Sequence, residues 1–313
     1  MTLKRILKTQ ELEEYVAAVK ATIVYTLKGT VPEVEEYVSS TFGKHVRSKL
    51  FYLMTKALDN EAKVPVEVGA AFEILHTATL MHDDILDSAK IRRGKKSFLA
   101  QYGANQSILA GDLLVCSAVD LVWQTKSWKF VKLYSELGQN LVKGEFFGPK
   151  LKVTDNVSKY YSHIHLKTAS FFEAICKMAL IVTNKDKTPC NSIITYGENF
   201  GKIFQIKDDY VDYFVNRRLK DKPVGGDFFN QAITLPLIFA YRDADPTEKR
   251  LILTLMSSPD SDAFKMMKKI MVKLKVEESI NKEINMLADQ AIFSLTSLPE
   301  SKYKETLKKL VQM

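Results

Sequence analysis

The spacing of apolar residues constrains this chain more than any other feature. From Val68 to Leu86, Gln106 to Trp123 and Ile193 to Phe214, apolar side chains recur every three or four positions, the period of a helix face. Glycine is sparse, at 13 of 313 residues, so few positions invite a break. Pro32, Pro65, Pro149, Pro189, Pro223, Pro246, Pro259 and Pro299 fall near gaps between periodic stretches, where they can end one helix or open the next. Pro236, between Ala232 and Tyr241, implies a first turn or a kink. No alternating pattern ends in a hairpin turn. The expected fold class is therefore all-α, with about ten or more helices and little sheet. The central windows are apolar nearly all round, which predicts inner helices with others packed about them in one large bundle. No Gly/Ser tract, repeat or low-complexity block intervenes, so residues 1–313 read as a single domain.

A formal charge of +8 suits nucleic acid, an anionic membrane surface or a polyanionic small substrate alike. Lys and Arg are dispersed apart from short clusters such as residues 92–96, and neither zinc-finger spacing nor an RNP-like motif is present, so a nucleic-acid partner is not expected. Cys116, Cys176 and Cys190 are odd in number and lack a CxxC pair, which argues against a disulfide framework or structural zinc and suggests buried or unreactive thiols. Met1 to Gln10 contains no apolar signal core, and no apolar run is expected to reach the roughly 18 residues of a membrane span. The expectation is a cytoplasmic protein with at most peripheral membrane contact.

Asp83, Asp84 and Asp87 place three carboxylates in five residues at the end of an apolar helix. Asp83 and Asp87 lie one turn apart on one face, where like charges repel unless a cation lies between them. Alone, such a cluster also fits a solvated helix end or cap. The same spacing recurs at Asp208, Asp209 and Asp212, again within an apolar helix. In a bundle, two such helices can face each other across a central cavity and hold several hard cations. Carboxylates, hard metals and nearby Lys and Arg are what a diphosphate requires, so the implied substrate is a phosphorylated small molecule.

The two DDxxD motifs, with Gly43, Lys44 and Arg47 before the first, Arg92 and Arg93 after it, and Lys167, Thr168 and Ala169 between them, resemble the trans-isoprenyl diphosphate synthases. The stretch from Glu73 to Met81 and the residues Phe204, Gln205 and Ile206 are also similar to that family, and the likeness runs from about Gly43 to Ala240. It implies a Mg²⁺-dependent prenyltransferase of all-trans, medium- or long-chain type, with about three Mg²⁺ per loaded site. Isopentenyl diphosphate and an allylic diphosphate would be its substrates, and a homodimer its assembly. The resemblance makes Asp83, Asp84, Asp87, Asp208, Asp209 and Asp212 the metal set, with Asp83, Asp87 and Asp208 the direct ligands. Arg92 would contact the allylic diphosphate, helped by Lys167 and Lys222. Lys44, Arg47, His76 and Arg93 would hold isopentenyl diphosphate, and Thr168 and Gln205 would stabilise positive charge beside Lys167. Without the motif, Lys44 and Arg47 read as surface charges and His76 as a core histidine.

Where the family usually has Arg, Pro and Gln, this chain has His45, Ser48 and Gly148. Gln231 and Ala232 replace a usual Gly-Lys, which removes one diphosphate-binding cation that Lys222 or Lys220 can replace; reduced activity and dependence on a partner subunit are the alternatives. A terpene cyclase would mix other residues into the second motif, a regulatory subunit would have lost aspartates, and a basic scaffold would leave both clusters unexplained. In short-chain relatives the positions of Ala78 and Thr79 carry aromatics that stop the growing tail. Here both are small, with Phe72 lower on the same helix, so products of about six to eight isoprene units are expected, with geranylgeranyl or farnesyl diphosphate the alternatives. A close helix contact is the lesser alternative for Ala78.

Overall fold

A computed structural model describes residues 9–186, 191–215 and 224–312. The amino-terminal helices are α1 (Gln10–Leu27), α2 (Pro32–Ser40), α3 (Val46–Leu58) and α4 (Val66–Leu86). A two-stranded hairpin follows, β1 (Ile91–Arg92) with β2 (Lys95–Lys96), paired Arg92 to Lys95. Then come α5 (Phe98–Tyr102), α6 (Ala104–Gln124), α7 (Trp128–Phe147), a 3₁₀ turn (Gly148–Lys150), α8 (Val157–Ile164), a π-helical turn (His165–Ala169) and α9 (Ser170–Val182). The rest comprises α10 (Asn191–Phe214), α11 (Gly226–Phe229), α12 (Leu235–Asp243), α13 (Pro246–Ser257), α14 (Ser261–Lys273), α15 (Val276–Ser294) and α16 (Lys302–Val311). The all-α class expected from apolar spacing is the observed one.

Local rules explain the boundaries. Thr9, Ser97, Asn156 and Ser301 each cap the helix they precede with a side-chain oxygen. Asp245 and Glu248 form a reciprocal capping box at α13. Pro236 occupies the first turn of α12, the first of its two sequence readings.

The chain forms two compact units. The first comprises Met1–Glu136, Ala174–Ile194 and Leu295–Met313; the second comprises Leu137–Glu173 and Thr195–Ser294. Three of the four passages between them fall within α7, α9 and α10, and the fourth follows the last residue of α15. In the first unit α4 packs on α1, α3 and α6. Gly69 permits the first of these contacts, because a Cβ there would stand 2.3 Å from the Tyr15 hydroxyl. Phe72 is fully buried edge-on to Phe51, with ring centres 5.7 Å apart. In the second unit α15 packs on α12 and α14, and Tyr161 donates to Glu283.

Two expectations are corrected. Helix α6 is long and apolar enough to cross a membrane by length and composition, although it was expected not to reach that length. It is also not an inner helix on every side, since Ile108, Leu109, Val119 and Trp123 are exposed. Cys116 on this helix is likewise exposed, whereas Cys176 is buried; Cys190 lies outside the described residues.

Candidate active site

The first aspartate cluster closes α4. The Asp87 amide bonds to the Asp83 carbonyl at 2.8 Å, so the last turn is intact and the two carboxylates stay one turn apart. Asp83 is half-buried and Asp87 is exposed. Carboxylates at a helix C-terminus face the negative end of its dipole, an electrostatic cost that a bound cation relieves. Asp84, one residue round the helix, is different. It is 1% exposed, and Arg92 donates to its Oδ1 from Nε at 2.9 Å and again from Nη2. Burial alone would lower the Arg92 guanidinium, yet the hydrogen bond and charge of Asp84 raise it above its ordinary value.

The hairpin carries the next two arginines. Arg93 and Gly94 both have positive φ, 53° and 75°, which closes a two-residue turn of the kind that matches strand twist. From there Arg93 donates to the Thr41 carbonyl. Its guanidinium lies against Gly43, where a Cβ would stand 2.7 Å from a guanidinium nitrogen. A side chain at position 43 would therefore displace the Arg93 guanidinium.

Arg47 lies in the first turn of α3, where burial pulls its guanidinium down to about 10 while Glu73 opposes the fall. His76 sits on α4 between these groups. Burial first, then Arg47, Arg93 and Arg92, push its imidazole well below the usual value, so it is neutral. A neutral imidazole and three guanidiniums share one electrostatic environment, with Lys44 exposed beside them in sequence. Burial of this much like charge favours a polyanionic occupant.

The second unit brings the remaining residues together. Between α8 and α9 the backbone widens into the π-helical turn His165–Ala169, which carries Lys167 and Thr168. Gly144 allows it, since a Cβ there would lie 2.6 Å from the Lys167 amide nitrogen. Lys167 pairs with Glu145 at 2.9 Å. Thr168 donates to Gln205 Oε1 at 2.7 Å, and Gln205 Nε2 donates to Asp209 Oδ1 at 2.8 Å. Tyr160 donates to the other Asp209 oxygen at 2.7 Å. Asp209 is 3% exposed, and its carboxyl is pushed up to about 7 by burial and by the Asp208 charge, against the hydrogen bonds from Gln205 and Tyr160. Asp208 is exposed. Asp212 accepts from the Gly226 amide at 3.2 Å and the Asp227 amide at 2.9 Å, which ties α10 to the start of α11.

Among the described residues, no three His, Cys, Asp or Glu side chains converge to hold an ion by themselves. That suits Mg²⁺, which takes one or two carboxylates and completes its octahedron with water and substrate phosphate. The donors present are hard carboxylate oxygens, with Asp87 and Asp208 exposed and Asp83 half-buried, so they fit such an ion. Lys222 and Lys220 lie outside the described residues.

Of the chain-length candidates, Phe72 and Ala78 have no exposed surface, while Thr79 is half-buried with its hydroxyl turned back to the His76 carbonyl at 2.9 Å. Of the two small residues, then, Thr79 is partly accessible and Ala78 is not. Reading the sequence did not single out Glu73, Tyr160 or His163 as functional. The available signal for Glu73 was one carboxylate in an apolar run; for Tyr160 and His163 there was none.

Residues 29–274 match the family described as polyprenyl synthetase. The chain is 29% identical over 296 residues to the octaprenyl diphosphate synthase of Haemophilus influenzae, covering 92% of this chain and 90% of that one. It is 31% identical over 278 residues to a prenyl transferase of Cyanophora paradoxa, covering 87% and 85%. A Caulobacter crescentus polyprenyl synthase, solved with calcium and isoprenyl diphosphate, superposes with a TM-score of 0.91 at 25% identity, covering 99% of this chain and 96% of that one.

Proposed function

The chain belongs to the polyprenyl synthetase family and is a prenyltransferase, and from that premise we propose how its residues condense isopentenyl diphosphate with an allylic diphosphate. The observation that carries this reading is helix α4 itself. Its neutral His76 lies among three guanidiniums, and two turns onward, about 10 Å along the axis, the helix ends in accessible carboxylates. One element thus joins a polyanion-binding region to a cation-binding one.

Asp83 and Asp87 would hold Mg²⁺ from the first motif and Asp208 from the second, about three ions with substrate bound. When bound, the ions neutralise the leaving diphosphate and lower the barrier to breaking its C–O bond. The protein does the remainder. Arg92, fixed by Asp84, and Lys167, fixed by Glu145, present positive charge to the allylic diphosphate. Lys222 adds to them. Lys44, Arg47, Arg93 and His76 grip isopentenyl diphosphate, whose double bond attacks the allylic cation. The Thr168 hydroxyl and the Gln205 side chain hold oxygen near developing positive charge, and the departed diphosphate takes the proton. No protein nucleophile is required.

Relatives that make octaprenyl and solanesyl chains support a medium or long product, and Thr79 leaves room for a tail. We assign products of about six to eight isoprene units, counting one unit per condensation. The exposed apolar face of α6 supports a homodimer, and the family's chemistry is consistent with cytoplasmic residence. Turnover of isopentenyl diphosphate with and without Mg²⁺, followed by product chromatography, tests the reading. Asp83→Ala and Asp208→Ala should each lower turnover by about 10²-fold or more with the fold retained. Wild-type rates in either variant would refute the ligand assignment.

A further inference from the structure

Helix α3 begins without a cap of its own. His45, its N-cap residue, has φ 53° and ψ 45°, and makes no side-chain hydrogen bond to the first turn. The first amides of a helix need acceptors, and leaving buried ones without them is costly. Here the acceptor comes from another helix. Glu73 of α4 receives the Ser48 amide on Oε1 at 2.9 Å, and its Oε2 stands 3.7 Å from His45 Nδ1. Glu73 is 7% exposed, His45 4% and Ser48 0%.

A buried carboxylate at a helix N-terminus is favoured by the dipole and by charge-assisted hydrogen bonding. It also lies beside a buried cation that needs it: Arg47 occupies the turn that Glu73 caps, and the Glu73 charge works against the loss of charge that burial imposes on Arg47. One small cavity is lined by Thr41, Gly43, His45, Glu73, Thr77 and Arg93, so the same carboxylate stands next to the hairpin arginine.

We propose that Glu73 is the positioning residue of the isopentenyl diphosphate site, capping α3 from α4 and thereby fixing Arg47 beside Arg93. This rests on the assignment of those arginines to isopentenyl diphosphate. It also gives the departures at positions 45 and 48 a common cause. Proline at 48 has no N–H to offer Glu73, and arginine at 45 can supply a guanidinium fork instead. Serine at 48 donates its amide, so position 45 can be the smaller histidine. The two positions are alternative ways of satisfying one carboxylate.

The test uses the full-length enzyme with Mg²⁺ and both substrates, measuring kcat, both KM values and melting temperature. Glu73→Gln keeps the shape but weakens the cap, and should raise KM for isopentenyl diphosphate about tenfold, with kcat and the allylic KM changing less than about twofold. Ser48→Pro should do the same. Adding His45→Arg to Ser48→Pro should recover most of the loss, which a general packing role would not predict. The proposal is overturned if Glu73→Gln and Ser48→Pro leave the isopentenyl diphosphate KM unchanged, or raise both KM values alike. It is also overturned if the double variant is no better than Ser48→Pro alone. If Glu73→Gln does not fold, the comparison of Ser48→Pro with the double variant decides. Absence of prenyl transfer in the wild-type enzyme would instead strike the functional reading on which this stands.

Discussion

Asp84→Ala should unsettle the fold far more than Asp83→Ala, although the two residues are adjacent and identical. Asp84 is 1% exposed and the Arg92 side chain 17%, and they are joined by a two-pronged contact to one oxygen. Removing one partner of a buried pair leaves the other charge uncompensated, at about 3–5 kcal/mol. The partial exposure of Arg92 places the value near the lower end, about 3 kcal/mol. For a chain of this size that is a fall in melting temperature of about 6–12 °C, taking about 2–4 °C per kcal/mol. Asp83 is half-buried at a helix end whose dipole disfavours it, so its loss should cost little stability while removing a proposed metal ligand. The assay is thermal melting of both variants alongside Mg²⁺-dependent turnover. The reasoning is wrong if Asp84→Ala melts within about 2 °C of wild type, or if Asp83→Ala is destabilised as much.

Thr79→Tyr should shorten the product while sparing the first condensations, and an unchanged chromatogram would show that this helix does not gauge the tail. Ala78→Tyr should chiefly destabilise, by about 1–3 kcal/mol, because the Ala78 side chain is wholly buried and a ring there must displace its neighbours; an unaltered melting curve would contradict that. His163 has both ring nitrogens buried without hydrogen-bond partners, and burial with the Lys167 charge lowers its imidazole from 6.5 to about 4. The unfolded chain therefore binds a proton that the folded chain refuses. Stability from this group is complete above pH 6.5 and is lost as pH falls toward 4, by about 3 kcal/mol in all, and His163→Phe should flatten that part of the pH–stability profile. Gln231 has φ 55°, a left-handed conformation that disfavours a side chain, so Gln231→Gly should raise stability by about 0.5–1 kcal/mol in denaturant titration, and a loss would refute the strain.

Long helices were legible because their signal is local and repeated. The windows 68–86, 106–123 and 193–214 correspond to α4, α6 and α10 within about two residues at each end, the usual uncertainty of helix boundaries. The hairpin, α5 and α11 are only two to five residues long, too short for any period to register. The π-helical turn was invisible for another reason: it depends on Gly144, some twenty residues away, letting a backbone approach. Likewise nothing local distinguishes Asp83 from Asp84. Their difference is made by Arg92, eight residues on in strand β1, which reaches back to Asp84 alone of the two in a two-pronged contact. The family departures were visible as letters, but their physical sense needed contacts: Gln231 still adopts the backbone that a glycine would occupy, and Ser48 supplies an amide where a proline has none.

The two aspartate motifs follow one construction rule, which explains their spacing better than a count of carboxylates does. Positions i and i+4 share a helix face, while i+1 lies about 100° round and turns toward packed neighbours. In each motif the i+1 aspartate is the buried one, Asp84 at 1% and Asp209 at 3% exposed. The anchors differ in kind. Asp84 is held by a guanidinium, which favours its ionised form, whereas Asp209 is held by the neutral donors Tyr160 and Gln205 and its carboxyl rises to about 7. Asp84 thereby fixes the Arg92 guanidinium, proposed above to meet the allylic diphosphate, and Asp209 fixes the amide that orders the Thr168 hydroxyl. Asp212 is engaged too, by the amides that begin α11, so in the second motif Asp208 is left as the exposed carboxylate. On the proposed assignment, a metal at the second motif would draw oxygens from substrate or water as well as from Asp208, and would bind well only with diphosphate present. Coupling of this kind makes cation affinity and substrate affinity rise together, as reciprocal linkage requires.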